Sequence, residues 1–322
     1  MAGTETAAAT GQMPGAMPGA MTVDVEDYFQ VGAFADCVRR ADWESLPCRV
    51  ERNMDRVLGL FAERQVTATF FTLGWIAERY PNVVRQIVAG GHELASHGYE
   101  HVRVHSQSPE EFRQDVRRTK GLLEDIGGQE VKGYRAASFS IDQRSLWAFD
   151  VLAEEGHSYS SSIYPIKHDH YGMPEASRFA YRPIAGHDFL EIPISTLKLF
   201  NRNLPGGGGG YFRLLPYAWF RWSQRRIRQS DGQPTIFYFH PWEVDPDQPR
   251  FEGVPLRSRF RHYVNLRAME RRLRALLRDF HWDRMDRVFL SSEYGDVCQA
   301  TLPTGSKSTV SKTDRILPGT AS

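Results

Sequence analysis

Residues 67–101, TATFFTLGWIAERYPNVVRQIVAGGHELASHGYEH, decide the fold. Thr67-Ala68-Thr69-Phe70-Phe71-Thr72-Leu73 is an unbroken run of small, aromatic and β-branched residues that stops at Gly74, the pattern of a buried strand. Pro81–Ala89 reads as a helix, with proline tolerated in its first turn and Gly90-Gly91 as its stop. Residues 92–96 return as a short strand that delivers His97 at its end. Strand, helix and strand in this order make a parallel crossover unit.

Working outward, the alternation recurs. Upstream, Met21-Thr22-Val23 predicts a strand that empties into Asp24-Val25-Glu26-Asp27, and residues 49–64 carry a helical stripe of Val50, Met54, Val57, Leu58 and Phe61. Downstream, Ser108-Pro109-Glu110-Glu111 is a capping box opening a helix to about Asp125, closed by Gly127-Gly128. A strand over 131–136, a helix over 143–155 and a strand over 159–162 follow. Strands at 234–239 and 287–290 flank a helix over 265–280. The pattern predicts an α/β fold with a parallel sheet or barrel, whose functional residues gather where the strands end.

Between these elements, residues 164–211 break the pattern and close on Pro205-Gly206-Gly207-Gly208-Gly209-Gly210-Tyr211. No Lys-Ser/Thr follows the glycines, which excludes a phosphate-binding Walker loop. A flexible loop, a lid over a sugar and a plain linker are the readings left.

The chain has 322 residues, 41% hydrophobic and 25% charged, enough for one large core. Forty basic against 39 acidic residues give a net charge of +1, so no global field points to nucleic acid or an anionic membrane, and any anionic partner would need a local patch. The Arg-rich segment 257–278 reads as a solvated helix face. Cys37, Cys48 and Cys298 have neither metal-site spacing nor an even count, which argues against a disulfide framework and fits a reducing, cytoplasmic setting. Residues 1–20 and 302–322 read as disordered around a single domain over 21–301, without a secretory signal or an apolar run long enough for a transmembrane segment.

The chemistry lies in three places: the acids Asp24, Glu26 and Asp27, the pair His97 and His101, and His240. Alone, each is more simply a helix cap or a packing residue. Together, an oxygen ligand and two imidazoles make a recurring hydrolytic metal set, and a four-residue spacing on one helical turn would put both imidazoles on one side. Gly98 after His97 rules out the HExxH helix, so a base must come from elsewhere, and the acidic cluster supplies the candidate.

Taken in order, the acidic motif, Ser96-His97-Gly98-Tyr99-Glu100-His101, Gly133-Tyr134-Arg135 and Phe239-His240-Pro241 resemble the motifs of polysaccharide deacetylases with the NodB-homology domain, carbohydrate esterase family 4. The forms Asp-Val-Glu-Asp-Tyr-Phe, Tyr-Arg-Ala and Phe-His-Pro-Trp-Glu are similar to the branch found with exosortase/PEP-CTERM exopolysaccharide clusters. The resemblance implies a distorted (β/α) barrel of about seven parallel strands with extra C-terminal elements, and metal-dependent removal of acetyl groups from acetylamino sugars. It implies Asp24 as general base, Arg135 as the residue orienting it, and His240 as general acid. His97, His101 and either Glu26 or Asp27 would hold the metal. Period-two alternation puts Glu26 on the face of Asp24, while Asp27 has the shorter side chain usual in the family. Zinc is the first expectation, and nickel or cobalt suits the same donors.

Two departures stand out. Arg135-Ala136-Ala137-Ser138-Phe139 loses the family's prolines, and Ser160 stands where relatives commonly carry the aspartate that supports the catalytic histidine. Asp169, Asp188 and Asp245 are the candidates to replace it. A backbone amide of the Phe139 loop is the candidate oxyanion donor. Tyr28, Phe29, Phe139, Tyr211, Phe212 and Trp242 are candidates for contact with sugar, Phe139, Tyr211 and Trp242 foremost. The expected substrate is a polysaccharide or a lipid-linked oligosaccharide. The alternatives are a hydrolase of a non-sugar amide, similar to allantoinases, and an impaired carbohydrate-binding protein, the latter motivated by Ser160 and by the altered acidic motif, in which Val25 follows Asp24 where the family commonly has two adjacent aspartates.

Overall fold

The structure, a computed structural model, describes residues 17–291 apart from Asp36 and His170. Most of the expected disordered N-terminus, the expected tail over 302–322 and Cys298 lie outside the described residues. Ten strands are present among them: β1 (Gly19–Val25), β2 (Thr69–Thr72), β3 (Glu93–Ser96), β4 (Gly133–Tyr134), β5 (Tyr159–Ser160), β6 (Leu190–Glu191), β7 (Thr196–Leu199), β8 (Arg202–Pro205), β9 (Ile236–Phe239) and β10 (Trp282–Asp283). All but β7 and β8 join one sheet, in the order β9-β1-β2-β3-β4-β5-β6, with the two-residue β10 also on β1. Every pairing in it is parallel. It curls into a distorted (β/α) barrel of the expected type.

Alternation along the strands builds two layers of core. Met21, Val23 and Val25 of β1, Phe70 of β2, and Phe237 and Phe239 of β9 face outward. They meet the apolar stripes of helices Val50–Arg64 and Leu266–Asp279. Ala20, Phe71, Ala95, Tyr159, Ile236 and Tyr238 fill the interior. Thr22 and Asp24 alternate with the outward residues of β1, so the carboxylate of Asp24 is carried into the barrel.

Several expectations needed correction. Residues 287–290 are not a strand, because Met285–Phe289 is a helix whose Met285, Val288 and Phe289 pack into the barrel interior at helical spacing; the strand is β10, just before it. The helix expected over 143–155 covers only Ala148–Glu154, and β4 and β5 are shorter than their apolar runs. His97 and His101 do not share a helical turn, since the chain after β3 is a loop with Gly98 and His101 at φ of 73° and 57°. Arg272, inside the segment read as a solvated face, turns inward and donates to the carbonyls of Arg213 (2.8 Å) and Leu215 (3.0 Å).

The glycine run is neither linker nor loose loop. It lies along β9 in the seam between β6 and β9, where Ser195 Oγ accepts from the Ile236 amide at 2.7 Å and the Ser195 carbonyl accepts from Gly206 at 3.0 Å. A Cβ on Gly207 would lie 2.5 Å from the Ile236 carbonyl oxygen, and one on Gly208, at φ 103°, would lie 2.7 Å from the Tyr238 ring. The run then enters the short helix Gly209–Leu214. Glycine is required there because backbone packs directly against a strand.

Candidate active site

Parallel strands place their C-terminal ends on one rim, and the predicted residues stand there. Asp24 lies near the end of β1, His97 directly after β3, Arg135 after β4 and His240 after β9.

Arg135 is fully buried and reaches across the barrel. Its Nη1 donates to Asp24 Oδ1 at 2.6 Å and to Thr22 Oγ1 at 2.8 Å; its Nε and Nη2 donate to the carbonyl (3.1 Å) and hydroxyl (3.0 Å) of Ser161. The guanidinium also lies over the Phe71 ring at 4.0 Å. A carboxylate gripped in this way is fixed in orientation.

Beside it, Glu26, His97 and His101 bring one ligand atom each to within 4.8 Å of one another. The carbonyl of Arg135, which can only accept, lies 2.8 Å from His97 Nδ1, so the proton sits on Nδ1 and Nε2 is left as a lone-pair donor. Burial drives both imidazoles toward the neutral form, His101 far down, with the neighbouring imidazole of His97 adding to the effect. Glu26 Oε2 is 3.1 Å from His101 Nε2 but has no hydrogen-bond partner, and burial pushes this carboxyl up to about 7. An orphaned carboxylate oxygen between two neutral imidazoles is a donor set that fits a divalent cation.

The His101 loop is held from outside. Asp115 accepts from the Tyr99 amide at 3.1 Å, and Gly74 and Trp75 donate to the carbonyls of Gly98 and Tyr99 at 3.0 Å each. A Cβ on Gly98 would come within 2.9 Å of Asp115 Oδ2, so this turn needs glycine for both its φ and its space. Asp27 is not part of the cluster. Alternation turns it away from Glu26, and its carboxylate caps the Tyr28 amide at 2.8 Å and the Arg49 amide.

His240 faces the cluster from β9, with Nε2 3.5 Å from Glu26 Oε1 and 4.0 Å from Asp24 Oδ2. Its Nδ1 is 2.8 Å from Glu243 Oε1, and Glu243 Oε2 accepts from Arg213 Nε at 2.6 Å. Burial alone would lower the imidazole, but the carboxylates of Glu26, Glu243 and Asp24 outweigh it and raise it to about 9. Burial works to raise Glu243, yet Arg213 and His240 hold it below the usual range. Arg213 is fixed in turn by the carbonyls of His262 (2.8 Å) and Val264 (2.6 Å). A Cβ on Gly209 would lie 2.2 Å from Glu243 Oε1, so the last buried glycine of the run makes room for this carboxylate.

Glu243 is the residue that sequence reasoning missed. None of the three aspartates named as substitutes reaches His240. Asp245 pairs with Arg49, Asp188 is exposed and pairs with Arg182, and Asp169 pairs with Arg257. Ser160 donates its hydroxyl to Ser162 at 2.7 Å. The missed signal was His240-Pro241-Trp242-Glu243, a capping box with proline at its first helical position, which returns Glu243 to His240 by local geometry.

These groups floor a cavity of about 300 Å³, walled by Phe139, Tyr171, Tyr211, Leu214 and Phe260. Phe139, Tyr211 and Trp242 are among the residues that line it. Trp242 is stacked on both His240 (5.2 Å) and His262 (4.1 Å), so it braces His240. Tyr28, Phe29 and Phe212 lie in the core. The amide of Phe139 itself is engaged with the Ala136 carbonyl at 3.0 Å and is not a candidate oxyanion donor.

Comparison with known proteins divides the chain in two. Residues 42–153 match the polysaccharide deacetylase family, and residues 161–290 match a domain of unknown function (DUF3473). His97, His101 and Arg135 fall in the first segment, Arg213, His240 and Glu243 in the second, and Asp24 and Glu26 precede both. A peptidoglycan-N-acetylglucosamine deacetylase of Bacillus cereus is 32% identical over 94 residues, 29% of this chain and 34% of that protein. A chitooligosaccharide deacetylase of Bradyrhizobium is 27% identical over 108 residues, 34% of this chain and 47% of that protein. The chain thus spans less than half the length of either relative. A solved structure from Mycobacterium smegmatis, described as a candidate polysaccharide deacetylase, superposes with a TM-score of 0.56 at 20% identity, covering 98% of this chain and 99% of that one, a likeness of fold.

Proposed function

Because the chain carries a polysaccharide deacetylase domain of the NodB-homology, carbohydrate esterase 4 type, we propose that it hydrolyses the N-acetyl group of an acetylamino sugar and releases acetate. The substrate in this reading is a bacterial exopolysaccharide or its precursor, as in the exosortase-associated branch that the motifs resemble. The observation that carries it is the pairing of two opposite groups across one cavity: Asp24 gripped by Arg135, and His240 gripped by Glu243, on either side of Glu26, His97 and His101.

A divalent cation held by Glu26, His97 and His101, zinc first and nickel or cobalt next, would polarise the amide carbonyl and acidify water. The remaining work falls to side chains. Asp24, oriented by Arg135, takes the proton of the attacking water as its oxygen adds to the carbonyl carbon. His240, kept protonated by its carboxylate neighbours, hands a proton to the nitrogen as the carbon–nitrogen bond breaks, so that the amine leaves neutral. Phe139, Tyr171 and Tyr211 offer apolar and aromatic wall to a sugar.

Against an impaired binding protein, Glu243 supplies the carboxylate that Ser160 lacks, and Glu26 supplies the acidic ligand atom that Val25 cannot. Free thiols at Cys37 and Cys48 favour action in the cytoplasm. The test is acetate release from an N-acetylglucosamine oligosaccharide by chelator-stripped protein with and without zinc, nickel or cobalt. Metal-restored release is expected. Tight metal binding without acetate from any N-acetylated saccharide would turn the reading toward a non-sugar amide.

A further inference from the structure

One surface beside the cavity mouth has a composition that the hydrolytic site does not use. Helix Leu256–Tyr263, Leu-Arg-Ser-Arg-Phe-Arg-His-Tyr, contains three arginines and no acid. Leu256 is 82% exposed and Phe260 58%, whereas His262 is buried against Trp242. At about 100° per residue, Leu256 and Phe260 share one stripe, about 40° apart, facing away from His262. Arg257 and Arg261 flank that stripe on one side and Arg259 on the other. Large apolar side chains pointing at solvent between two basic margins are the arrangement of a helix that lies in a lipid headgroup layer.

Its location gives the arrangement a use. Phe260 and Arg261 line the cavity, and Leu214, 44% exposed, adds apolar surface to the same rim. Arg257 and Arg261 share Asp169, so the margin is not purely basic; these are surface pairs that exchange readily for phosphates. Among the described residues no helix is long and apolar enough to cross a membrane, so attachment here would be peripheral.

We propose that helix Leu256–Tyr263 docks on an anionic lipid bilayer, apolar stripe inward and arginines at the headgroup phosphates, so that the cavity opens at the membrane surface. Charge complementarity selects an anionic bilayer over a neutral one. The proposal concerns this surface alone and does not depend on the deacetylase reading.

The experiment is co-sedimentation of the full chain with phosphatidylglycerol vesicles and with phosphatidylcholine vesicles, at low and at raised salt. Binding to phosphatidylglycerol that weakens with salt and exceeds binding to phosphatidylcholine is expected. Leu256→Asp and Arg259→Glu, neither of which lines the cavity, should each reduce partitioning about tenfold. Phe200→Asp, at a position 91% exposed on the turn between β7 and β8, and Arg85→Glu, on helix Pro81–Ala89, serve as controls and should leave it unchanged. Equal binding to both lipids, variants that bind like wild type, or self-association through this face without vesicle binding would each overturn the proposal.

Discussion

Asp24 is fixed by an arginine that reaches it from β4 across the barrel, whereas His240 is fixed by a carboxylate three residues along its own chain. The first arrangement depends on the sheet: shift β1 against its neighbours and the pair is lost. The second depends on a single 3-10 turn, Pro241–Val244, and on two supports from outside it, Arg213 and the space left by Gly209. A locally closed device of this kind can hold its histidine without an aspartate from β5. That difference is how the site holds both Asp24 and His240 in place although Ser160 has no charge to give.

The comparison can be broken at several points, the deepest first. His97→Ala should abolish metal binding and turnover together, read by metal content after desalting and by acetate release; stoichiometric metal in that variant would contradict the donor set. Asp24→Asn should retain the metal and lower kcat by about 1,000-fold. A near-normal rate would remove Asp24 as the base.

The Asp24–Arg135 pair was legible in the sequence, whereas the Glu243 support of His240 was not. The strand-helix-strand reading of residues 67–101 matched Pro81–Ala89 and came within a residue of β3, while β2 occupies only the middle of its expected run, because burial on both faces marks a strand but not its ends. Asp24, His97 and His240 stood out where strands end, and Arg135 through the family resemblance. Choosing Glu26 over Asp27 needed the alternation of β1 carried one residue beyond its end. The glycine run was misread because glycine announces only permissiveness; that β9 and Glu243 pack on its bare Cα atoms is a tertiary fact. The spacing of His97 and His101 suggested a helix, and two residues at positive φ made a loop instead.

The His240 half can be sharpened through its supports. Gly209→Ala intrudes on Glu243 without touching His240, Asp24 or Glu26, and should reduce kcat by about tenfold with metal content unchanged. An unaltered kcat would mean that the carboxylate has slack.

The smallest effect bears on stability rather than rate. Glu191, on β6 beside β5, accepts from the amides of Ser162 and Ile163, and burial raises it from 4.5 to about 7. The folded chain therefore holds a proton that the unfolded chain has released above about pH 4.5. Stability is lost as pH rises from there through about 7, by at most roughly 3 kcal/mol. Glu191→Gln should remove that loss, so denaturation midpoints of variant and wild type should converge at low pH and separate above 7, with the variant higher. Parallel curves would assign the pH dependence elsewhere.

The central claim is that Glu243, and not a group at position 160, serves His240. Comparing kcat for acetate release by zinc-restored Glu243→Gln and Ser160→Ala, each with metal content and folding checked, tests it most directly. The account predicts a fall of about 100-fold in Glu243→Gln and less than about threefold in Ser160→Ala. A large loss in Ser160→Ala with Glu243→Gln near wild type would contradict it.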